Sequence, residues 1–197
     1  MKKSKKLSKN KKLFNVVIIY GTIAVGKFSV ATELHKKLNY RFFHNHHTHD
    51  LARQLFDRGD FHLDKLIIDM RLLILKTAAE AKINVITTHA YTSDWVSQTG
   101  ITDPKYMKKV ESIIESRGGR ACFVYLTADE KELLKRVSGK SRKNFHKLRD
   151  KKTMKEFLDT RDWNTPAPVK NNLEINNTKI SAKKVADMII KHFQIRH

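Results

Sequence analysis

The sequence predicts an α/β domain built on a five-stranded parallel sheet with helices on both faces. Three observations predict it. Short apolar, β-branched runs alternate along the chain with longer segments of helical periodicity. The first run breaks at a glycine turn that passes directly into a helix. The unusual polar segments all follow predicted strands, which in a parallel sheet collects them at one edge. With 197 residues the chain is long enough for one such domain and its core.

Residues 16–20, Val-Val-Ile-Ile-Tyr, are apolar and mostly β-branched throughout, as a strand buried on both faces requires. The run stops at Gly21 and restarts after Gly26-Lys27 as a helix. The spacing Gly21-x-x-x-x-Gly26-Lys27 has a physical rationale as a phosphate-binding loop. Glycines at its two ends allow positive φ or a close approach of phosphate to the main chain. The turn's amides and the positive end of the following helix then face one anion, and Lys27 adds a point charge for β- and γ-phosphates. The residue after the lysine is usually Ser or Thr, whose hydroxyl holds Mg²⁺. Here it is Phe28, with Ser29 one place later, so Ser29 is the metal candidate and Mg²⁺ is expected to be held partly through water.

The remaining elements follow in order. Phe28, Ala31, Leu34 and Leu38 recur at helical spacing, and Asn39 closes that helix. Residues 40–43 make a short strand, His44-Asn45-His46-His47-Thr48-His49-Asp50 a polar loop, and residues 51–56 a short helix broken by Arg58-Gly59-Asp60. A long amphipathic helix starts at Leu63, with Leu63, Leu66, Ile67, Met70, Ile74, Thr77, Ala78 and Ala81 on its inward stripe. Residues 84–88 are a buried strand ending at His89, and a loop over 90–102 follows. Asp103-Pro104 caps the next helix, which Gly118-Gly119 ends. Residues 121–126 are a fourth strand and 127–137 a helix opened by Asp129 and Glu130. Residues 138–155 are basic and read as a mobile segment; a helix covers 153–161, residues 173–175 form the last strand, and Ser181 caps a closing helix with Val185, Met188, Ile189 and Phe193 inward.

Composition bounds the setting. Cys122 is the single cysteine and lies in an apolar run, so no intramolecular disulfide can form and a reducing, cytoplasmic location is expected. No apolar stretch is long enough to span a bilayer, and no membrane partner is expected. The formal net charge is +20, and about +13 remains once the seven lysines of residues 1–12 are set aside as a disordered basic tail, with the domain taken as 13–197. Phosphate handling accounts for part of this charge. The tail and the basic segment also leave a nucleic-acid partner open.

Several segments together resemble a P-loop kinase-like family, the AAA-family ATPase or shikimate-kinase-like proteins, related to shikimate and nucleoside monophosphate kinases. These are Gly21 to Ser29, Phe42-Phe43-His44-Asn45-His46-x-Thr48, Glu115-Ser116-Arg117-Gly118-Gly119, Leu133-Leu134-x-Arg136, and Ile175-Asn176-Asn177-Thr178. The resemblance covers nearly all of the chain after residue 13 and implies a nucleotide loop, an acceptor region and a small basic lid. It implies that Gly21, Thr22, Ile23, Ala24, Val25, Gly26, Lys27, Phe28 and Ser29 hold the phosphates of ATP with Mg²⁺. Asn177 and Thr178 would lie near the adenine, with Arg136 at the lid base and Arg142 as a second lid cation. Where shikimate kinases carry two carboxylates after the second strand, Phe43-x-Asn45-x-His47 has none. Thr48-x-Asp50 and Arg53 resemble the Thr-Gly-Asp and Arg of nucleoside monophosphate kinases.

The expected chemistry is ATP-dependent phosphoryl transfer to a small acceptor, which needs positioning and positive charge: Lys27, Arg136 and Arg142. Asn45, His47, Asp50, Arg53, His89 and Asp94 are the acceptor candidates, with Asp94 also the nearest carboxylate to the third strand and a candidate base. Two alternatives remain open. The basic segments suit a polynucleotide end kinase or RNA-binding NTPase, and the histidines of 44–49 suit a non-enzymatic metal or nucleotide sensor.

Overall fold

A computed structural model describes residues 13–139 and 147–195. The lysine tail and Arg142 lie outside the described residues. The first strand, β1 (Asn15–Gly21), is flanked on both sides: its residues pair in parallel with β3 (Val85–Ala90) on one edge and β4 (Arg120–Thr127) on the other. Outside these lie β2 (Arg41–Phe43) and β5 (Asn172–Asn176), giving a five-stranded parallel sheet of order β2-β3-β1-β4-β5.

Strand alternation sorts the central residues onto two cores. Val17, Ile19, Cys122 and Val124 face one layer, formed by α1 (Lys27–Leu38), α5 (Glu130–Val137) and α7 (Ala182–Phe193). Val16, Ile18, Tyr20, Phe123 and Tyr125 face the other, formed by α3 (Phe61–Glu80) and α4 (Asp103–Glu115). Cys122 is buried, as expected.

The two layers explain where a ligand can enter. β1 and β3 are neighbours, yet the chain leaves β1 toward α1 on one face and leaves β3 toward α4 on the other. Their following loops therefore part, and a crevice opens at the carboxyl end of the sheet.

Four local expectations are corrected. The histidine segment is not a loop: α2 (His46–Ala52) starts inside it, so its side chains are arranged by helical rather than strand geometry. The cap of α4 is Thr102, whose hydroxyl accepts from the Lys105 amide, while Asp103 is turned inward and buried. On α3 the buried stripe runs Leu63, Ile67, Ile68, Leu75 and Ala79, and Ile74 is 37% exposed. The helix expected at 153–161 is α6 (Lys151–Thr160), capped by Asp150. Among the described residues no helix is long and apolar enough to cross a membrane.

Candidate functional site

The loop between β1 and α1 has the geometry that its glycines suggest. Gly21 has φ 133°, and a β-carbon there would lie 2.2 Å from the carbonyl oxygen of Leu126 in β4, so any side chain collides with the sheet. Gly26, with φ 101°, is the start of α1, and Ala24 between them also has positive φ. No side chain caps this helix, whereas Asp60, Thr102 and Ser181 accept from the first turns of α3, α4 and α7. The Lys27 ammonium curls back over the loop and donates to the carbonyls of Gly21 (2.8 Å) and Thr22 (2.6 Å). Phe28 packs on Phe42 and His44, with the Lys147 ammonium 4.8 Å from its ring centre. Ser29 is exposed on the first turn of α1.

Beneath the loop lies a clasp. Arg136 of α5 donates to the carbonyls of Val25 (3.2 Å), Asn177 (3.0 Å) and Thr178 (3.3 Å), and to the Asn177 amide oxygen (2.8 Å). Its Nε is held by Glu132 at 2.8 Å. The Asn177 Nδ2 donates to the same Val25 carbonyl at 2.7 Å, so the turn after β5 and the β1–α1 loop share one set of bonds. Thr178 is tied to the start of α5, its hydroxyl accepting from the Asp129 amide.

Beside the loop, with Ile23 in its wall, is a cavity of about 250 Å³. Its walls are aromatic: Tyr91, Trp95, Tyr106, Phe157 and Trp163. Asn45, His49, Asp64, Arg71, His89, Thr92 and Asp103 supply the polar surface. His89, at the end of β3, is buried, lies flat against Tyr106 (ring centres 4.6 Å apart, 14° between planes), and bonds through Nε2 to Asp103 Oδ1 at 3.0 Å. The second oxygen of Asp103 accepts from the Thr92 amide at 2.9 Å. Burial lowers the His89 pKa, opposed by Asp103 and reinforced by Arg71 and Lys27, so the ring is neutral at pH 7.

Arg71 is a site residue that the sequence reading missed. Its Nε donates to the Thr48 hydroxyl and one Nη to the Asn45 carbonyl, both at 2.9 Å, fixing the plane of the guanidinium against α2. Burial lowers its pKa and Tyr106, Asp103 and Asp64 oppose that, but a guanidinium stays charged. A signal was present: Leu63, Ile67, Arg71, Leu75 and Ala79 are spaced four apart, so Arg71 stands in the middle of the buried stripe. Asp103 was equally visible, but as a cap.

Of the acceptor candidates, Asn45 and His89 line the cavity and the other four do not. The Asn45 amide oxygen accepts from the Thr88 hydroxyl at 3.0 Å. His47 lies tilted against His44 (3.7 Å between ring centres, 41° between planes), and Asp50 bonds His49 at 3.3 Å. Arg53 turns away to the Phe56 carbonyl and Asp57. Asp94 accepts from the Asp162 amide at 3.1 Å, joining the loop after β3 to the segment after α6. Helical spacing brings His46, His49 and Asp50 onto one face of α2, with a ligating atom of each within 4.8 Å of the others. Burial holds His44 and His46 neutral, each with a pKa of about 4.

A Gly-x-x-x-x-Gly-Lys turn between strand and helix, on a five-stranded parallel sheet of this order, is the arrangement of the P-loop kinase fold. No protein-family model matches the sequence, and no curated protein matches it. Solved structures do. A sugar kinase from Janibacter sp. superposes with a TM-score of 0.63 at 12% identity, covering 93% of this chain and 95% of that one. A shikimate kinase from Bacteroides thetaiotaomicron gives 0.61 at 14% identity, with 92% and 99% covered. A gluconokinase from Sinorhizobium meliloti gives 0.59 at 12% identity, with 92% and 91% covered. The chain therefore has the architecture of the small P-loop kinases over nearly its whole length.

Proposed function

We propose that the protein is an ATP-dependent kinase that transfers the γ-phosphoryl group to a hydroxyl of a small molecule bound in the cavity. The observation that carries this reading is the shared wall: Ile23 of the phosphate loop also lines the acceptor-sized cavity, so the end of a bound triphosphate and a bound acceptor would meet there. The likeness to sugar, gluconate and shikimate kinases supports it.

The loop fits a triphosphate. Its positive-φ glycines let phosphate approach the backbone, and the side-chain-free start of α1 suits an anion. Lys27 donates to the loop carbonyls of Gly21 and Thr22 on the bonds given above, which places its ammonium at the loop, within reach of β- and γ-phosphates. Mg²⁺ bound with ATP would neutralise charge on those phosphates, with the exposed Ser29 hydroxyl on the first turn of α1 as the group to hold it. Arg136 acts here as the brace that keeps Val25 and Gly26 in shape, and Asn177 links that brace to the nucleotide side.

The test is calorimetry with MgATP. Wild type should bind, and Lys27→Met should weaken binding at least tenfold while its unfolding temperature stays within a few degrees; a wild type with no measurable MgATP affinity sinks the reading. A metabolite-pool phosphorylation screen read by mass spectrometry then identifies the acceptor.

A second reading, divalent metal binding beside the cavity, is favoured by the His46, His49 and Asp50 grouping. Imidazole nitrogens and a carboxylate suit Zn²⁺. Untagged protein should take up Zn²⁺ in calorimetry and His46→Ala should abolish it; equal uptake by both rejects this site.

A further inference from the structure

His89 is not explained by packing alone. A neutral imidazole offers one donor and one acceptor. Against the Asp103 carboxylate the proton belongs on Nε2, which leaves Nδ1 as an acceptor. That atom is buried and has no hydrogen-bond partner among the described residues. The Tyr91 hydroxyl and Thr92 Oγ1 are in the same state, and all three side chains line the one cavity. A buried polar atom left unpaired is costly, so three in one cavity suit a ligand rich in hydroxyl groups.

We propose that His89, oriented by Asp103, is the general base of the reaction, taking the proton from the acceptor hydroxyl at Nδ1. The inference rests on the kinase reading above and adds its base and the chemical class of its acceptor, a small polyhydroxylated molecule. In the step, the acceptor O–H proton passes to Nδ1 as the oxygen bonds the γ-phosphorus. The bond from that phosphorus to the β–γ bridging oxygen breaks, and ADP leaves with the electron pair. The imidazolium so formed is stabilised by Asp103, and its proton returns to solvent after product leaves.

Asp103 is the positioning residue. Its two oxygens are divided between His89 Nε2 and the Thr92 amide. In Asp103→Asn the remaining oxygen is claimed by the Thr92 N–H, so the amide nitrogen faces His89 and drives the proton onto Nδ1, the wrong atom for a base. The charged and titratable groups around the ring are Asp103 and Tyr106 from α4, Arg71 from α3, Lys27 from α1 and Tyr91 beyond β3. Burial, reinforced by Arg71 and Lys27 and opposed by Asp103, lowers the ring's pKa and keeps it neutral at pH 7, the state a base needs.

Two measurements test this without knowledge of the acceptor. The first is nitrogen-15 NMR of the histidine rings in wild type at pH 7, which should find His89 as the neutral Nε2–H form. An Nδ1–H form or an imidazolium overturns the proposal whatever the activity. The second uses MgATP with water as acceptor. His89→Gln and Asp103→Asn should lower hydrolysis by roughly 10²- to 10⁴-fold with nucleotide affinity unchanged, and the acid limb of the wild-type rate profile should vanish in His89→Gln. Hydrolysis equal to wild type in His89→Gln, or none from a wild type that binds MgATP, overturns the base. A wild type that fails to bind MgATP overturns the kinase reading instead.

Discussion

Replacing Arg136 by Met keeps the aliphatic stem and removes every donor, which tests whether this residue braces the phosphate loop. The substitution strips charged donors from the carbonyls of Val25, Asn177 and Thr178 and from the Asn177 amide oxygen. A bond to a charged group contributes about 1.5–3 kcal/mol when buried. Here the side chain is 25% exposed, so water replaces part of what is lost, and Asn177 still donates to Val25. A net loss of about 2–4 kcal/mol follows, which at about 2–4 °C per kcal/mol for a chain of this size lowers Tm by roughly 5–15 °C. Thermal unfolding followed by circular dichroism reads this directly. Arg136→Lys, a single point donor without the planar fork, should recover less than half of the loss. A Tm within 2 °C of wild type, together with a large fall in MgATP affinity, would refute the brace and leave Arg136 acting on the nucleotide alone.

Four further outcomes are expected. Gly21→Ala combines a positive φ with a β-carbon 2.2 Å from the Leu126 carbonyl, and should cost about 2–6 kcal/mol, read as a lower urea midpoint at an unchanged m-value. Tyr91→Phe removes a buried hydroxyl that has no partner among the described residues and should leave stability within about 0.5 kcal/mol of wild type or raise it. Tyr20→Phe, by contrast, breaks bonds to Asn172 and the Ala167 amide and should cost about 1–2 kcal/mol in the same denaturation assay. For pH, the folded pKa of His89 lies below its unfolded value of about 6.5, so below that pH the unfolded chain binds a proton that the folded chain refuses. Stability should therefore fall as pH drops below about 6.5, and less steeply in His89→Gln; an identical slope in both proteins would contradict the shift.

The framework of the fold was legible because each strand and helix on it announces itself locally. Val16 to Tyr20 carry the mark of a doubly buried strand, and Gly21, Gly26 and Lys27 that of the loop, since both depend on backbone conformation and neighbouring residues. The cavity was legible only at its edges. His46 to His49 have no apolar rhythm, so a helix through them could not be distinguished from a loop; its start follows from packing of Thr48 and Ala52 against α3. Asp103 precedes Pro104 at a helix start, where local rules favour a cap, yet a hydroxyl one position earlier takes that task and frees the carboxylate for His89. Arg71 and His89 lie 18 residues apart in sequence on different elements. Only the crossing of α3 and β3 at one crevice brings them to the same cavity.

The aromatic walls of that cavity have an optical consequence. The chain contains two tryptophans, Trp95 and Trp163, and both line it, while none lies in either sheet-facing core. Intrinsic emission thus originates where the acceptor would sit, with Tyr91 and Tyr106 beside it as local energy donors. The molecule carries its own unlabelled reporter of occupancy: quenching or a spectral shift in a fluorescence titration would register a filled cavity directly, before any product has formed.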